Sequence, residues 1–297
     1  MPISPTALGL LSGTVCLLSL LLLLSITDLT AEERAKSTAA LTVLALALLL
    51  GFAQDVLHLQ RAWQAALPGL VALALAVSSS GPLFQRPSSA TEWVYTAATG
   101  LCAYVLITSF SLTSGINGLK TGQAYFLAVS LLTLSLLVRF TQELAQFPLR
   151  AHFLACQVQI PFVFTTVALL KHCKFPSSGC SGASFAYFAG TSLAVSGLWG
   201  AFSPLWILLL SPQIAQNLLY LYGLMPFNMK IKPMGANYDP KTGLFTYSKA
   251  HNGLFNYYLF ISGPLDEESI ATHMYLLQVL LGLHSSLVRF HVFSHLF

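Results

Sequence analysis

Long apolar stretches fill most of this chain and decide the solvent in which it folds. Seven or more of them reach the length of about 20 residues that an α-helix needs to cross about 30 Å of hydrocarbon. Only 8% of the 297 residues are charged, 55% are hydrophobic, and the mean hydropathy is +0.71. A water-soluble globule of this size cannot bury that much apolar surface. The sequence therefore predicts an all-α fold, a polytopic transmembrane helical bundle of about seven to nine spans.

Charged residues, prolines and glycines mark the ends of six of the expected spans. We place them at Ala7–Thr27, Ala39–Leu59, Ala65–Phe84, Trp93–Thr113, Ala124–Phe140 and Ala151–Leu170. The next stretch, Ala183–Met225, carries no charge over more than 40 positions, which is too long for one crossing. Gly200, Ser203 and Pro204 predict a break in its middle. Two full spans, or one span followed by a re-entrant or interfacial segment, both fit.

The chain is expected to divide into three parts. Residues 1–225 form the transmembrane bundle. Residues 226–269 mix lysines with aromatic residues, which is typical of a segment at a headgroup surface, either extramembrane or interfacial. Residues 270–297 form a last span or an interfacial helix. The sequence thus predicts one loop-rich segment near the C-terminus.

The charge and cysteine content limit the partners. A net charge of +4 spread over many loops argues against nucleic acid, which would need a concentrated basic face. The expected partners are the lipid bilayer and other subunits of a membrane protein complex. Cys173 and Cys180 share a short polar loop, where either a disulfide or two free thiols would be compatible with the sequence.

Histidines recur on one face of the last predicted helix. His291 and His295 lie one turn apart, and His-x-x-x-His on a helix is a spacing found in metal sites. Two imidazoles are an incomplete ligand set, so the alternative is an interfacial helix whose polar face contains histidine and serine. No pattern identifies a cofactor.

Four polar residues inside apolar sequence are the candidate catalytic residues. Gln213, Gln216 and Asn217 are spaced so that they fall on neighbouring turns, and amides in hydrocarbon should face the bundle or a wet cavity. They form a polar substrate or headgroup site, or they hydrogen-bond helices together. Asp55 is the fourth, because an acid embedded near an apolar span indicates function. The alternative is that it lies at the headgroup level.

Residues Gly182–Phe188 read Gly-Ala-Ser-Phe-Ala-Tyr-Phe. These seven residues resemble the Gly-x-Ser-x-x-x-Phe element of rhomboid intramembrane proteases. The resemblance implies a serine nucleophile, Ser184, activated by a histidine. The glycine-rich helix that carries the family's histidine is not matched around His284. The small residues instead favour close packing of helices.

The leading hypothesis is a multi-pass protein of the endoplasmic reticulum or another endomembrane that handles a lipid or lipid-linked substrate. It would act as an enzyme or as a subunit of a membrane enzyme complex. The small extramembrane mass, the embedded amides and the Lys/aromatic segment favour this interpretation. One alternative is a transporter of a small polar solute. The other is a non-catalytic structural or assembly subunit.

Overall fold

A computed structural model describes residues 7–57, 61–79, 90–113, 115–141, 149–200, 205–224 and 236–295. Helices dominate these ranges. In chain order they are α1 (Ala7–Ile26), α2 (Ala31–Leu57), α3 (Arg61–Ser79), α4 (Ala90–Leu112), α5 (Leu119–Thr141), α6 (Leu149–Cys173), α7 (Gly182–Trp199), α8 (Leu205–Leu209), α9 (Ser211–Leu224), α10 (Leu254–Ser262) and α11 (Glu267–His295). Two short strands, β1 (Asn237–Asp239) and β2 (Leu244–Thr246), precede α10.

Each of the six spans bounded from sequence overlaps one of the helices α1 to α6. The largest difference is at α2, which begins at Ala31 rather than at the expected Ala39. Thr30 and Glu33 cap this helix reciprocally: the Thr30 nitrogen donates to Glu33 Oε2 at 2.9 Å, and the Glu33 nitrogen donates to Thr30 Oγ1 at 3.3 Å. The charge cluster that suggested a loop is therefore the first part of the helix.

A break interrupts the long uncharged stretch, where the sequence predicted it. Helix α7 ends at Trp199, and the backbone nitrogen of Gly200 donates to the carbonyl of Ser196 at 2.9 Å. Helices α8 and α9 follow, separated by a turn at Leu210. Pro212 lies in the first turn of α9, where its missing N–H costs no hydrogen bond.

Helix α7 is the centre of the bundle. All of its residues from Ser184 to Leu198 are buried, and α2 and α4 pack along its length. Gly190 allows the close approach of α4, since a Cβ atom at this position would lie 2.6 Å from the backbone nitrogen of Ile107. Small residues that let helix backbones approach are a common basis of packing in membranes.

The C-terminal part forms a smaller apolar cluster against one end of the bundle. Strands β1 and β2 pair antiparallel, and β2 contacts the segment before α11 through a bridge between Phe245 and Leu265. Phe255 and Leu259 of α10 are buried together with Ile116, Leu119 and Ile270. The sequence did not predict the hairpin, because three-residue strands are too short to show a period-two pattern.

The composition of the helices fits a membrane. Within the described residues, three helices are long and apolar enough to cross a bilayer: Leu8–Ile26, Ala31–Leu57 and His152–Cys173. Two shorter apolar helices, Trp63–Ser78 and Thr96–Leu112, accompany them. Large apolar side chains point outward, such as Leu18 and Leu22 of α1, which are 60% and 63% exposed. The predicted all-α membrane fold is confirmed.

Candidate functional site

One end of the bundle brings together polar groups from three helices. Asp55 lies near the C-terminus of α2, Lys120 at the start of α5, and Ala183 and Ser184 in the first turn of α7. We call this region the Asp55 end. Helix α11 also begins here, because Glu267 Oε1 accepts a hydrogen bond of 2.6 Å from the backbone nitrogen of Asn117.

The Asp55 carboxylate binds the N-terminus of α7. Its Oδ1 accepts from the backbone nitrogen of Ala183 at 2.7 Å, and its Oδ2 accepts from the backbone nitrogen and hydroxyl of Ser184 at 2.9 Å and 2.6 Å. Ser181, the residue in the N-cap position, makes no side-chain capping bond. Asp55 therefore supplies from another helix the acceptor that a capping residue normally provides, and its negative charge favours this end of the helix dipole.

Gly182 fits tightly against Asp55. It has a φ of +69°, and a Cβ atom there would lie 2.5 Å from Asp55 Oδ2. A residue with a side chain would be strained by this backbone conformation and would also collide with the carboxylate. The sequence Gly182-Ala183-Ser184 is thus shaped to receive Asp55.

A buried cation lies beside this contact. Lys120 is 7% exposed, and its Nζ donates to the carbonyl oxygen of Gly182 at 2.8 Å. The charge of Asp55 acts on it. Gln54, next to Asp55, accepts a hydrogen bond of 2.6 Å from the hydroxyl of Tyr187 on α7. The Asp55 carboxylate and the Lys120 ammonium group therefore both contact the backbone at the start of α7.

The loop between α6 and α7 contains two free thiols. Cys173 is buried and Cys180 is exposed, and no disulfide joins them. Of the two alternatives that the sequence left open, the structure has the free thiols.

The three predicted amides lie on α9 and bind neighbouring helices. Asn217 Nδ2 donates to the carbonyl of Val105 on α4 at 2.9 Å, and its Oδ1 accepts from Thr108 Oγ1 at 2.6 Å. Gln213 Nε2 donates to Gln278 Oε1 on α11 at 3.0 Å. These contacts match the alternative in which the amides hold helices together.

Gln216 has a different environment. Its Oε1 accepts from the backbone nitrogen of Leu254 at 2.8 Å, which ties α9 to the start of α10, while its Nε2 is buried without a hydrogen-bond partner. It lines a small cavity, with room for about one water molecule, together with Ser109, Thr113 and Gln123. The cavity has the polar lining of a site but not the volume for a substrate.

The predicted candidates do not form a single site. Gln213, Gln216 and Asn217 lie on α9, and the hydrogen bonds above join them to α4, α10 and α11, whereas Asp55 binds α7. His291 and His295 lie four residues apart in α11, but their side chains fall outside the described part of the structure. Where side chains are described, no group of three or more His, Cys, Asp or Glu residues gathers.

Sequence reasoning missed Lys120. Its signal was available, because a lysine that starts an apolar helix directly after the turn Gly115–Gly118 is an embedded charge. The rhomboid resemblance implied a nucleophilic role for Ser184, but the sequence favoured close helix packing by the small residues around it. Its hydroxyl instead donates to Asp55, a contact between α2 and α7 that no local pattern reveals.

The chain is similar to a family of membrane transferases. The profile of glycosyl transferase family 4 matches residues 37–201, which include Asp55, Lys120 and Ser184 and end before α9. This is more than half of the chain.

Curated relatives extend the similarity beyond that range. The UDP-N-acetylglucosamine--dolichyl-phosphate N-acetylglucosaminephosphotransferase of Dictyostelium discoideum is 29% identical over 286 residues, covering 86% of this chain and 69% of the relative. The proteins of the same name from Schizosaccharomyces pombe and Saccharomyces cerevisiae are 24% and 29% identical. These two matches cover 85% and 74% of this chain, and 68% and 52% of the respective relatives.

Proposed function

The chain belongs to glycosyl transferase family 4, and we propose that it transfers a sugar phosphate from a nucleotide sugar to a lipid phosphate. The observation that carries this proposal is the family match over residues 37–201, which contains Asp55, Lys120 and the first turn of α7. The names of the relatives supply the substrate class, since each acts on UDP-N-acetylglucosamine and dolichyl phosphate.

The family and the relatives confirm three predictions from sequence. The protein is an integral endomembrane protein, it handles a lipid-linked substrate, and it works in contact with the bilayer. This agrees with the leading hypothesis rather than with a transporter of polar solutes. Protein partners and the exclusion of nucleic acid stay predictions.

The reaction is a displacement at phosphorus. An oxygen of the lipid phosphate attacks the phosphorus atom that carries the sugar. A new P–O bond forms, the bond between the two phosphates of the nucleotide sugar breaks, and the nucleoside monophosphate leaves with the bonding electron pair. Three phosphate groups meet in this step, so the site must stabilise concentrated negative charge.

Lys120 is our candidate for part of that stabilisation. Its ammonium group lies at the Asp55 end in a buried environment, where a cation acts on phosphate more strongly than in water. Asp55 serves as a positioning residue, because it fixes the first turn of α7 beside Lys120. Gln213, Gln216 and Asn217 stay candidates for a polar substrate or headgroup site, and His291 and His295 stay candidate metal ligands.

The test is an assay of the purified full chain with UDP-N-acetylglucosamine and dolichyl phosphate. Release of UMP and formation of dolichyl diphosphate N-acetylglucosamine are expected. Lys120→Met should lower kcat/KM by about 10-fold to 1,000-fold. Lys241→Met is the matched control, since Lys241 is an exposed lysine of the hairpin turn. Equal activity of both variants would remove Lys120 from the site.

A second candidate function is a non-catalytic subunit that binds the same lipid class. One observation favours it: both oxygens of Asp55 are occupied by donors of α7, so this carboxylate already has a structural role. In that case the purified chain should bind dolichyl phosphate but release no UMP. Its removal from cells should reduce the abundance of a partner enzyme.

The division into bundle, Lys/aromatic segment and final helix is part of the proposal. We count nine crossings: α1 to α7, α8 together with α9, and α11. Helix α10 has nine residues, about 14 Å, so it is too short to cross and lies against the Asp55 end.

The alternating helices place β1, β2 and α10 at the Asp55 end. The connections and helix ends there carry eight of the 14 lysines and arginines, against six at the other end, so the positive-inside rule puts the Asp55 end in the cytosol. Of the five cysteines only Cys180 is exposed. An impermeant maleimide should therefore label sealed microsomes at Cys180, and Cys180→Ser should abolish that labelling. Labelling that requires permeabilised microsomes would reverse the orientation.

A further inference from the structure

A second polar cluster lies at the end of the bundle opposite Asp55. It combines His152 in the first turns of α6, Ser135 of α5, Gly200 at the end of α7 and Arg289 of α11. Ser135 is 15 residues beyond Lys120, and Gly200 is 17 residues beyond Ala183, so the helix rise places this cluster about 25 Å from the Asp55 end. We call it the Arg289 end.

His152 is buried without hydrogen bonds. It is 2% exposed, and neither its Nδ1 nor its Nε2 has a partner. An imidazole always carries at least one N–H donor, so this ring presents a donor to an apolar interior. Buried polar groups in folded proteins are nearly always paired, which makes an unpaired ring at this depth an indication of a ligand.

Arg289 also contains a buried polar atom without a hydrogen-bond partner. Its Nε is buried without a partner, and its charge acts on the ring of His152. Ser285, one turn earlier on α11, is fully buried and its hydroxyl is also unpaired. Arg289 forms no ion pair with a carboxylate in the part of the chain that the structure describes.

Gly200 marks the point on which the cluster converges. A Cβ atom there would lie 3.8 Å from Ser135 Oγ and 3.9 Å from His152 Nδ1. The φ of Gly200 is −74°, which any residue can adopt, so its backbone does not require glycine. Among the described residues, no side chain of residue 200 fills the space between this hydroxyl and the imidazole.

From this arrangement we propose that the Arg289 end binds a phosphate group, supplied by the headgroup of an anionic phospholipid. Arginine, histidine and serine together offer the charge and the donors that a phosphate oxygen accepts from. The cluster lies about one membrane thickness from the Asp55 end, which is the depth of the headgroups in the opposite leaflet. Arg289 is half-buried, so the site opens toward the surface of the bundle.

The site is distinct from the proposed transferase site, since it shares no residue with the Asp55 end. Its ligand would fix α11 against α5, α6 and α7 at this end of the bundle. A bound phospholipid thus serves as a structural ligand of the bundle, and its loss should be visible as lost thermal stability whether or not the protein transfers sugar phosphate.

The test is a titration of the full chain, purified in a neutral detergent without phosphate, with three probes: short-chain phosphatidic acid, the diacylglycerol with the same chains, and inorganic phosphate. Phosphatidic acid should raise the unfolding temperature, and diacylglycerol should not. A rise with inorganic phosphate at the same concentration would support the phosphate site but assign it to free phosphate instead of lipid. Equal effects of phosphatidic acid and diacylglycerol would overturn the proposal.

Variants locate the binding. Arg289→Gln and His152→Gln should each weaken the response to phosphatidic acid by about tenfold, the value of one lost charge-assisted hydrogen bond. Arg34→Gln is the matched control, because Arg34 is an exposed arginine at the start of α2 and thus at the same end of the bundle. If all three variants respond like the natural chain, the cluster does not bind the lipid.

One further variant covers the case in which a charge replacement prevents folding. Gly200→Val keeps every polar group and fills the space between Ser135 and His152. It should fold and show the same weakened response. A Gly200→Val protein with full affinity for phosphatidic acid would place the ligand elsewhere and overturn the proposal.

Discussion

Ser184 donates to Asp55 Oδ2 twice, from its backbone nitrogen at 2.9 Å and from its hydroxyl at 2.6 Å. With the third bond from Ala183, the carboxylate satisfies two of the four N–H groups at the start of α7 that the helix itself leaves unpaired. Because α7 is the central helix of the bundle, this contact fixes the element against which α2 and α4 pack. Asp55 therefore stabilises the bundle at the position where we propose that it orients the first turn of α7.

Asp55→Asn should destabilise the protein by about 1–3 kcal/mol, because an amide offers one acceptor oxygen for two backbone donors and carries no charge. The measurement is the unfolding midpoint of the purified chain in detergent. Asp28→Asn is the control, since Asp28 is an exposed acid in the turn before α2. If both variants unfold at the same midpoint, the Asp55 contact with α7 contributes nothing to stability.

Gly190→Ala and Gly69→Ala should have opposite effects. A Cβ atom at Gly190 would lie 2.6 Å and 2.7 Å from backbone atoms of Ile107, so α4 and α7 must separate, at a cost of about 1–3 kcal/mol. A Cβ atom at Gly69 of α3 would have nothing within 4 Å, so alanine should stabilise this helix by up to about 1 kcal/mol. Unfolding midpoints of the two variants test the close packing of α7 directly.

Asn217→Leu should reduce stability more than it reduces activity. The substitution removes the bonds to Val105 and Thr108 and leaves the Val105 carbonyl without this donor, a loss of about 1–3 kcal/mol. Activity is measured per folded molecule, so that loss of protein is separated from loss of catalysis. Complete loss of activity in a protein of normal stability would instead assign Asn217 to the substrate site.

Much of the fold could be predicted because the hydrophobic signal is strong. The length of the apolar stretches and the charged residues between them predicted six helices, which overlap α1 to α6. Gly200 and Pro204 indicated the end of α7. The start of α2 was misplaced, because Glu32, Glu33, Arg34 and Lys36 suggested a loop although a Thr30–Glu33 capping box begins the helix there. Charged residues at the headgroup level can belong to a helix that continues past the hydrocarbon.

The site was harder to predict, since its contacts join positions far apart in sequence. Asp55 was selected for its embedded charge, but its partner Ser184 is 129 residues away. His152 was missed even though His152, Gln159 and Thr166 recur every seven residues on one face of α6, and all three are buried with unpaired polar atoms. A seven-residue polar period inside an apolar helix is visible in sequence, whereas the helix it faces is not.

The start of α11 should respond to acid. Hydrogen bonds from the hydroxyl and the backbone nitrogen of Ser269, at 2.6 Å and 3.2 Å, lower the pKa of Asp266 below its ordinary value. A depressed carboxyl pKa contributes stability that is present above the pKa of the unfolded chain, about 4, and is lost as pH falls through the folded value. Asp266→Ala should therefore be less stable than the natural chain at pH 7, and the gap should close below about pH 4.

Ser269→Ala is the matched variant for this effect, because it keeps the carboxylate and removes the bond that contributes most to the shift. It should show a smaller stability gap at pH 7 than Asp266→Ala and a weaker dependence on pH. The measurement is the unfolding midpoint of the three proteins between pH 3 and pH 7. The difference between each variant and the natural chain is taken at the same pH, so that acid effects elsewhere in the chain cancel. A gap between Asp266→Ala and the natural chain that stays constant across this range would mean that the contribution of Asp266 to stability does not depend on its charge.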